Sequence, residues 1–401
     1  MKNLIATEEA LLILSQNTLD FGTEEIPLED AMGRLVTENI SADRDFPPYD
    51  RVAMDGIAIR YSSFGKGTRA FQIKGSAPAG APQMELTDAS GCIEVMTGSI
   101  LPQGVDTVVR YEDIYIFNGN ARIELDTIKF QQNVHFRGED RKQGDLIIPE
   151  RTRLSTAEIG VCATVGKKYL KVAALPKAVI VSTGDELVEI DQLPLPHQLR
   201  QSNVYQIKMA LKDRGLTVET NHVNDHLEAI TEKLASWVNH YDVIILSGGV
   251  SKGKFDYLPK ALEMIGVSKK FHGVRQRPGK PFWFGMYQNK CALFAFPGNP
   301  VSSFVCAQRY LNYWLNLCLG LKSNNQPSAL LKEDVVFKPD LTYFLEVKIE
   351  FNEQAQLMAT PAKGNGSGDL ANLVDTDAFI ELPRGKELFR KGEIYPIFYY
   401  R

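Results

Sequence analysis

Three short segments each follow or end an apolar run and combine glycine with hydroxyl, amide or acidic side chains. They are STGDE (182–186), SGGVSKGKFDY (247–257) and FPGNP (296–300). In the second segment Gly248, Gly253 and Lys254 have the spacing of a nucleotide-binding P-loop, but Phe255 follows and has no hydroxyl to coordinate magnesium. The pattern therefore disfavours a P-loop kinase or ATPase. It leaves two interpretations open, a different anion site and a structural turn.

The donors in these loops are suited to an anionic ligand, because glycine-rich turns and helix N-termini present backbone amides to anions. A further loop, RQRPGKP (275–281), adds basic side chains. The predicted anion-binding residues are Ser182, Thr183, Gly184, Gly248, Gly249, Ser251, Arg277, Lys280, Gly298 and Asn299. Each loop alone is as well explained by a tight turn or a solvated basic segment. Together near one sheet edge they favour an anionic ligand.

Acidic residues in or beside these loops present a charge problem, because carboxylates repel an anion. A divalent cation such as magnesium resolves it by bridging carboxylate and ligand oxygens. The acids concerned are Asp55, Asp140, Glu186, Asp225 and Asp256. Helix capping or hydrogen bonding to backbone amides is the alternative explanation for several of them.

The elements that must position these loops alternate along the chain. From residue 178 onward, strand-like runs such as AVIVSTG and YDVIILSGG alternate with amphipathic segments such as NVYQIKMALKDRG. This alternation predicts a parallel sheet with helices on both faces and ligands beyond the carboxyl ends of its strands. Short alternating runs predict a β-rich domain over 57–135 and a small β-domain over 323–401. Helical spacing occurs at 7–16 and 28–40.

Composition and charge limit the function classes. The length of 401 residues predicts roughly two to four domains. The net charge of −4 is spread without long basic runs, which argues against a nucleic-acid-binding protein. The five cysteines form no C-x-x-C pair and are predicted to be free thiols. Signal-peptide order and an apolar run of about 18 residues are absent, so we expect a cytoplasmic protein without a membrane span.

Segments in order along the chain resemble the molybdopterin molybdenumtransferase (MoeA) family, which includes the E domain of gephyrin. They are PPYDRVAMDGIAIR, GSAPAG, MTGSILPQGVDTVVRYED, NVHFRGEDRKQGD, STGDELV, RQSNVYQIKMAL, SGGVSKGKFDY, RPGKPFWFG, FPGNPVSSF and GNGSGDLANL. The resemblance implies an enzyme of molybdenum cofactor biosynthesis that inserts molybdate into adenylyl-molybdopterin. It also implies Mg²⁺ as cofactor, AMP as product and a homodimer.

The resemblance further implies an elongated α/β multidomain subunit. The expected domains are a discontinuous linking domain of helical and extended segments (1–47 and 141–174), a β-rich insert domain (48–140), a doubly wound α/β molybdopterin-binding domain (175–322) and a C-terminal β-domain resembling a small barrel (323–401). In the family, the site lies between the α/β domain of one subunit and loops of the other. A molybdopterin adenylyltransferase and molybdoenzyme chaperones are the implied protein partners.

Motif by motif, the resemblance implies roles for single residues. It assigns catalytic roles to Asp55, Thr97, Asp140, Glu186, Asp225 and Asp256. It adds Pro297, Pro300 and Ser367 to the substrate-binding residues, and it implies that Glu186 and Asp256 hold the magnesium ion. Loop amides and hydroxyls would hold phosphate and molybdate. Hydrolysis of the phosphoanhydride would be coupled to capture of the metal by the dithiolene sulfurs.

Three places depart from the family pattern. Arg51 and Val52 stand where Asn-Ser is frequent, Arg277 where lysine is frequent, and Glu346, in YFLEVKI, where arginine is often found. An acid in place of a cation affects an anion site directly, so the molybdate affinity and the choice between molybdate and tungstate stay open. The alternatives are a tungstate-specific paralogue, a non-catalytic scaffold like the gephyrin E domain, and a molybdopterin adenylyltransferase.

Overall fold

The structure is a computed structural model that describes residues 4–250, 257–321, 326–362 and 364–401. The chain divides into two compact units. The first unit contains Met1–Ile26, Gly33–Thr37 and Lys171–Arg401, and the second unit contains Pro27–Met32 and Glu38–Leu170. Each unit has its own buried apolar core.

The helices are short. They are α1 (Thr7–Ser15), α2 (Tyr61–Gly65), α3 (Thr156–Thr164), α4 (Ser202–Lys212), α5 (Leu227–Trp237), α6 (Leu258–Met264), α7 (Pro300–Cys306) and α8 (Asn312–Cys318). A π-helical segment, Ala307–Leu311, joins α7 to α8, and 3-10 turns occur at Leu28–Asp30, Tyr111–Asp113 and Leu370–Asp375. Within the described residues, none of the helices is long and apolar enough to cross a membrane.

Most strands are also short. They are β1 (Thr23–Pro27), β2 (Ile40–Ser41), β3 (Arg51–Val52), β4 (Gly56–Ile59), β5 (Ala70–Ala77), β6 (Gly91–Val95), β7 (Thr107–Arg110), β8 (Ile114–Phe117), β9 (Asn120–Ile123), β10 (Val134–His135), β11 (Leu146–Ile148), β12 (Tyr169–Ala173), β13 (Ala178–Thr183), β14 (Leu187–Val188), β15 (Leu199–Arg200), β16 (Val218–Val223), β17 (Val243–Ser247), β18 (Ser268–His272), β19 (Gln276–Arg277), β20 (Trp283–Tyr287), β21 (Cys291–Phe296), β22 (Ser328–Leu331), β23 (Val335–Val336), β24 (Thr342–Phe351), β25 (Leu357–Pro361), β26 (Ala378–Leu382), β27 (Leu388–Phe389) and β28 (Ile394–Tyr399).

A six-stranded sheet in the order β16-β13-β17-β21-β20-β18 forms the centre of the first unit. The first four strands run parallel, whereas β20 is antiparallel to both of its neighbours, β21 and β18. On one face Ile180 and Ile245 pack with residues of α1, α4, α7 and α8. On the other face Val179 and Ile244 pack with α5 and α6. The sheet is therefore doubly wound, as predicted, although its far edge is antiparallel.

The C-terminal strands of the first unit close into a barrel. The order is β24-β25-β22-β28-β26, and β26 pairs back onto β24. Closure leaves the strand edges paired, which stabilises a small sheet. β19 adds to this barrel in parallel with β24, with Gln276 opposite Thr342. The basic loop that contains β19 is thereby attached to the barrel.

The second unit contains a six-stranded sheet in the order β7-β4-β6-β5-β9-β8. Residues alternate along its strands, so that Ala58 joins one apolar cluster and Ile57 the other. Two short antiparallel pairs, β2 with β11 and β3 with β10, hold the segments before and after this sheet. The predicted β-rich region thus has the expected strand content.

The helix predicted over 28–40 is wrong. Only the 3-10 turn Leu28–Asp30 forms there. Leu35 and Val36 are extended and pair with the segment at 171–173, because the Ala173 amide donates to the Leu35 carbonyl and the Thr37 amide donates to the Lys171 carbonyl. Pairing with a strand has outweighed a helical pattern of apolar residues. The helix predicted near the N-terminus is present as α1.

The prediction of free cysteines is confirmed. Burial raises the pKa of Cys92, Cys291 and Cys318 to about 12. A thiol with such a pKa carries almost no thiolate at neutral pH and is a poor nucleophile or metal ligand. These cysteines therefore act as small apolar side chains in the fold.

A buried ion pair joins the helical segment to the barrel in the first unit. The Nε atom of Arg309 lies 3.1 Å from Oε2 of Glu381, and both side chains are 13% exposed. The guanidinium also lies 4.5 Å from the centre of the Phe398 ring. Burial raises the pKa of Glu381, and the charge and hydrogen bond of Arg309 oppose that shift.

We expect Arg309→Met to destabilise the protein by about 3–5 kcal/mol near pH 8, because the Glu381 carboxylate would stay buried without its partner. The folded-state pKa of Glu381 would rise further above its unfolded value. Stability of the variant is then greatest below the unfolded pKa and falls as the pH rises. Calorimetric unfolding at pH 5 and pH 8 measures this difference. Adding Glu381→Gln should restore most of the stability at pH 8, and equal losses at both pH values would contradict the explanation.

Candidate active site

The carboxyl ends of four parallel strands meet at one edge of the first unit's central sheet. In sheet order, β16 ends at Val223, β13 at Thr183, β17 at Ser247 and β21 at Phe296. The loops that follow these strands therefore lie side by side. The chain order reverses between β13 and β17, and such a switch point is where open α/β sheets bind ligands.

A cavity of about 1160 Å³ opens at this edge. The predicted residues that line it are Ser182, Thr183, Gly184, Glu186, Asp225, Gly248, Gly249, Arg277, Lys280, Pro297, Gly298, Asn299, Pro300 and Ser367. Two other predicted residues, Ser251 and Asp256, lie outside the described residues. The remaining three, Asp55, Thr97 and Asp140, belong to the second unit.

The turn at Gly248 and Gly249 leaves no room for a side chain. A Cβ at Gly248 would lie 2.8 Å from the Thr183 carbonyl oxygen, and a Cβ at Gly249 would lie 2.9 Å from Thr183 Oγ1. Both glycines have positive φ, +101° and +66°, which L side chains rarely adopt. The Gly248 amide also donates to the Phe296 carbonyl at 3.1 Å. The turn is thus packed directly onto the ends of both neighbouring strands.

The two hydroxyls at the end of β13 differ in their surroundings. Ser182 Oγ donates to Gln201 Oε1 at 3.2 Å and contacts His222 Nδ1 at 2.9 Å. Thr183 Oγ1 is buried and has no hydrogen-bond partner among the described residues. Ser182 is therefore already hydrogen-bonded within the fold, whereas the Thr183 hydroxyl packs against the Gly248–Gly249 turn without a hydrogen bond to a described residue.

Two asparagines connect the loops around the cavity. Asn203 Nδ2 donates to Ser247 Oγ at 2.9 Å and to the Gly298 carbonyl at 2.8 Å. Asn299 directly precedes α7, but its side chain makes no capping hydrogen bond. It donates instead to Ser367 Oγ at 2.8 Å, and the Ser367 carbonyl accepts the Val301 amide at 3.1 Å. The segment around Ser367 therefore partly replaces the cap of α7.

The acids at this edge have different environments. The Asp225 amide donates to Asp185 Oδ1 at 3.2 Å, which joins the loops after β16 and β13. The Glu186 carboxylate is exposed and lies against Gly184, where a Cβ would be 2.5 Å from Oε2. Glu346 on β24 also lines the cavity and is only 9% exposed. Burial raises the pKa of Glu346, and the negative charge of Asp369 adds to the shift.

The basic loop at 275–281 packs into the wall of the cavity and is not a solvated segment. Gln276 is fully buried and accepts a hydrogen bond from the Tyr310 hydroxyl. The Val274 amide donates to the Lys280 carbonyl at 2.9 Å, which closes the loop. Arg277 is exposed, with its guanidinium carbon 6.0 Å from the centre of the Phe337 ring.

Some lining residues were given no role from the sequence. Gln201 and Asn203 lie where α4 begins, and Tyr343 lies on β24. The polar run QSN before an amphipathic helix is a signal that could have indicated the first two. Tyr343 carries no comparable motif and reaches the cavity because β24 pairs with β19.

In the second unit three motifs share one hydrogen-bonded network. Asp55 Oδ1 accepts hydrogen bonds from the Thr97 amide at 2.6 Å and from the Thr97 hydroxyl at 2.7 Å. These bonds lower the pKa of Asp55. The Val52 amide donates to the Ser99 carbonyl at 3.0 Å. Through the pairing of β3 with β10, the same network reaches the segment that contains Asp140.

Three regions of the chain match protein families in order. Residues 5–166 match the MoeA N-terminal region (domain I and II), residues 179–316 a probable molybdopterin binding domain, and residues 328–397 the MoeA C-terminal region (domain IV). A protein named molybdopterin molybdenumtransferase from Synechocystis sp. (strain PCC 6803) is 39% identical over 402 residues, which is 98% of this chain and 100% of that relative. The chain belongs to the molybdopterin molybdenumtransferase family.

Other comparisons agree with membership in the molybdopterin molybdenumtransferase family. A relative with that name from Bacillus subtilis (strain 168) is 28% identical over 384 residues, covering 92% of this chain and 88% of the relative. The solved structure of the molybdopterin biosynthesis MoeA protein from Pyrococcus horikosii has a TM-score of 0.83 and 27% identity, and 100% of both chains is covered. The predicted family, fold class and transferase activity in molybdenum cofactor biosynthesis are thus confirmed. The domain limits and the roles of single residues stay predictions.

We expect Gly248→Ala to destabilise the molybdenumtransferase fold by about 1–3 kcal/mol, because the new methyl group would press on Thr183 at a backbone angle unsuited to alanine. Gly298→Ala is the matched control in the neighbouring loop, since the nearest atom to its Cβ would be 3.8 Å away. Calorimetric unfolding of both variants measures the difference. A Gly248→Ala protein as stable as Gly298→Ala would show that the turn is not constrained as described.

Proposed function

We propose that the cavity of the first unit binds adenylyl-molybdopterin and molybdate, and that AMP is released as molybdenum is transferred to the dithiolene sulfurs. The observation that carries this proposal is Thr183, a residue that lines the cavity and whose buried hydroxyl has no partner among the described residues. An unsatisfied buried hydroxyl costs about 1–3 kcal/mol. A ligand oxygen that accepts its hydrogen bond explains its position, and phosphate and molybdate both provide such oxygens.

The size and charge of the cavity support the same proposal. Its volume of about 1160 Å³ exceeds the range of about 300–1,000 Å³ for pockets that hold one drug-sized molecule. A pterin joined to a nucleotide needs a site of that size. Arg277 and Lys280 line the cavity and supply positive charge to phosphate or molybdate oxygens.

Glu186 fits the role of a magnesium ligand. Its exposed carboxylate lines the cavity, and no described residue donates a hydrogen bond or forms an ion pair with it. No group of three or more His, Cys, Asp or Glu in the described part of the chain could hold a metal ion alone. We therefore propose that Glu186, Asp256 and substrate oxygens together bind Mg²⁺. When bound, the ion would offset the negative charge of the pyrophosphate.

We also propose catalytic roles for Asp55, Thr97 and Asp140 and a homodimeric enzyme. Asp55 is ionised at neutral pH, since the two hydrogen bonds from Thr97 lower its pKa. Those bonds fix the orientation of the carboxylate. An oriented and ionised carboxylate can position a water molecule or attract a cation.

The proposal is tested by incubating the purified protein with adenylyl-molybdopterin, molybdate and Mg²⁺ and measuring AMP by chromatography. We expect AMP release that needs both molybdate and Mg²⁺ and is lost in Asp55→Ala. Folded protein without AMP release above background would refute the proposed function. AMP release with tungstate but not molybdate would favour the tungstate-specific alternative, and ATP-dependent adenylylation of molybdopterin would favour an adenylyltransferase.

For Thr183→Val we expect unchanged or slightly higher thermal stability, because the variant removes an unsatisfied buried hydroxyl. We expect the KM for adenylyl-molybdopterin to rise about tenfold, because a hydrogen bond to the anionic substrate is lost. Ser303→Ala is the matched control: its hydroxyl is also buried without a described partner but does not line the cavity. It should leave KM unchanged. A wild-type KM in Thr183→Val would contradict the proposed role of Thr183.

A further inference from the structure

Arg51, His135 and Asp140 of the second unit form a chain of contacts. β3 and β10 are antiparallel, and their register places His135 opposite Arg51. Opposite residues of antiparallel strands project to the same face. An Nη atom of Arg51 lies 2.9 Å from His135 Nδ1, and His135 Nε2 lies 3.1 Å from Asp140 Oδ1.

The chemistry of arginine determines which ring nitrogen of His135 carries the hydrogen. A guanidinium only donates hydrogen bonds and does not lose its proton in proteins. The Nδ1 atom of His135 must therefore accept, so a neutral ring carries its hydrogen on Nε2. That hydrogen is donated to the Asp140 carboxylate. Arg51 at Nδ1 and Asp140 at Nε2 thus favour the same tautomer, in which His135 is a donor toward Asp140.

The backbone of Asp140 is already held on both sides. Its amide donates to the Phe46 carbonyl at 2.9 Å, and its own carbonyl accepts from the Arg141 side chain at 2.8 Å. The side chain is the part that can still rotate, since it is more than half exposed, at 57%. The bond from His135 is what restrains that rotation.

Glu139 is the other acid near the His135 ring, and its carboxylate makes a different hydrogen bond. Its Oε2 atom lies 3.9 Å from His135 Nε2, beyond hydrogen-bond distance. The same oxygen accepts the Phe136 amide at 3.0 Å and closes the turn. Asp140 is therefore the acid that His135 orients.

We propose that Arg51 and His135 are positioning residues that orient the Asp140 carboxylate for molybdenum transfer. This inference rests on the proposed catalytic role of Asp140. The neutral tautomer leaves the full negative charge on Asp140, so the carboxylate can act on a cation or a proton while its direction is fixed. A protonated His135 would neutralise that charge and would oppose the donor group of Arg51.

The first test reads the tautomer directly. The protein is labelled with ¹⁵N-histidine, and the His135 signals are assigned by their loss in His135→Phe. At pH 8 we expect the imidazole nitrogens of the wild type to show hydrogen on Nε2. Arg51→Leu should weaken this preference without abolishing it, because the Asp140 carboxylate still accepts from Nε2, whereas Arg51→Lys and Glu139→Gln should keep it in full. Hydrogen on Nδ1 in the wild type would overturn the proposal.

The second test measures kcat/KM for AMP release. We expect about a tenfold loss in His135→Phe and Arg51→Leu, the effect of one hydrogen bond to a charged group. His135→Gln should recover part of the loss, because its amide offers both an acceptor and a donor. Wild-type kcat/KM in the Phe and Leu variants would overturn the proposal. A wild-type protein that releases no AMP would count against the proposed function, and the tautomer would then decide the inference alone.

Discussion

The close approach of the β17 turn to the end of β13 is the constraint on which the cavity depends. Gly248 and Gly249 lie so near Thr183 that a Cβ at either position would clash with it. This approach keeps the Thr183 hydroxyl buried, and the bonds from Asn203 to Ser247 and Gly298 tie the next strand end to the same edge. Backbone packing and one amide side chain therefore hold three strand ends together, which constrains where the lining groups of the described loops lie. Preorganised donors of this kind bind and orient anions efficiently.

The polar groups at this edge divide into those that hold the fold together and those that remain available to a ligand. Ser182, Asp185 and Asn299 already bond to other loops. Thr183 and Glu186 have no such partners among the described residues. In the second unit Asp55 combines both properties, since Thr97 holds its carboxylate while its negative charge is kept. Residue type alone does not separate the two groups, because Ser182 and Thr183 are adjacent hydroxyls in one motif.

Local pattern predicted the elements well and their partners poorly. The strands and helices after residue 178 repeat regularly, so the doubly wound sheet and the grouping of its loops followed from the sequence. The helical pattern at 28–40 gave a wrong prediction, because pairing with the segment at 171–173 determines the conformation there. The contact of Arg51 with His135 depends on the register of two distant strands, which no local pattern contains. Arg51 departs from the residues frequent in the family at this position, and here it has a specific partner.

Glu346 is a second departure from the family pattern for which the structure gives a physical consequence. It is buried on the wall of the cavity, and burial raises its pKa. A protonated carboxyl donates a hydrogen bond to an anion, whereas an ionised one repels it. At the proposed anion site, Glu346 would therefore change the charge that an oxyanion meets. Molybdate and tungstate carry the same charge and have nearly the same size, so this effect falls on both equally. Any discrimination between the two metals must come from the geometry of the donors or from the later chemistry of the metal, and not from Glu346.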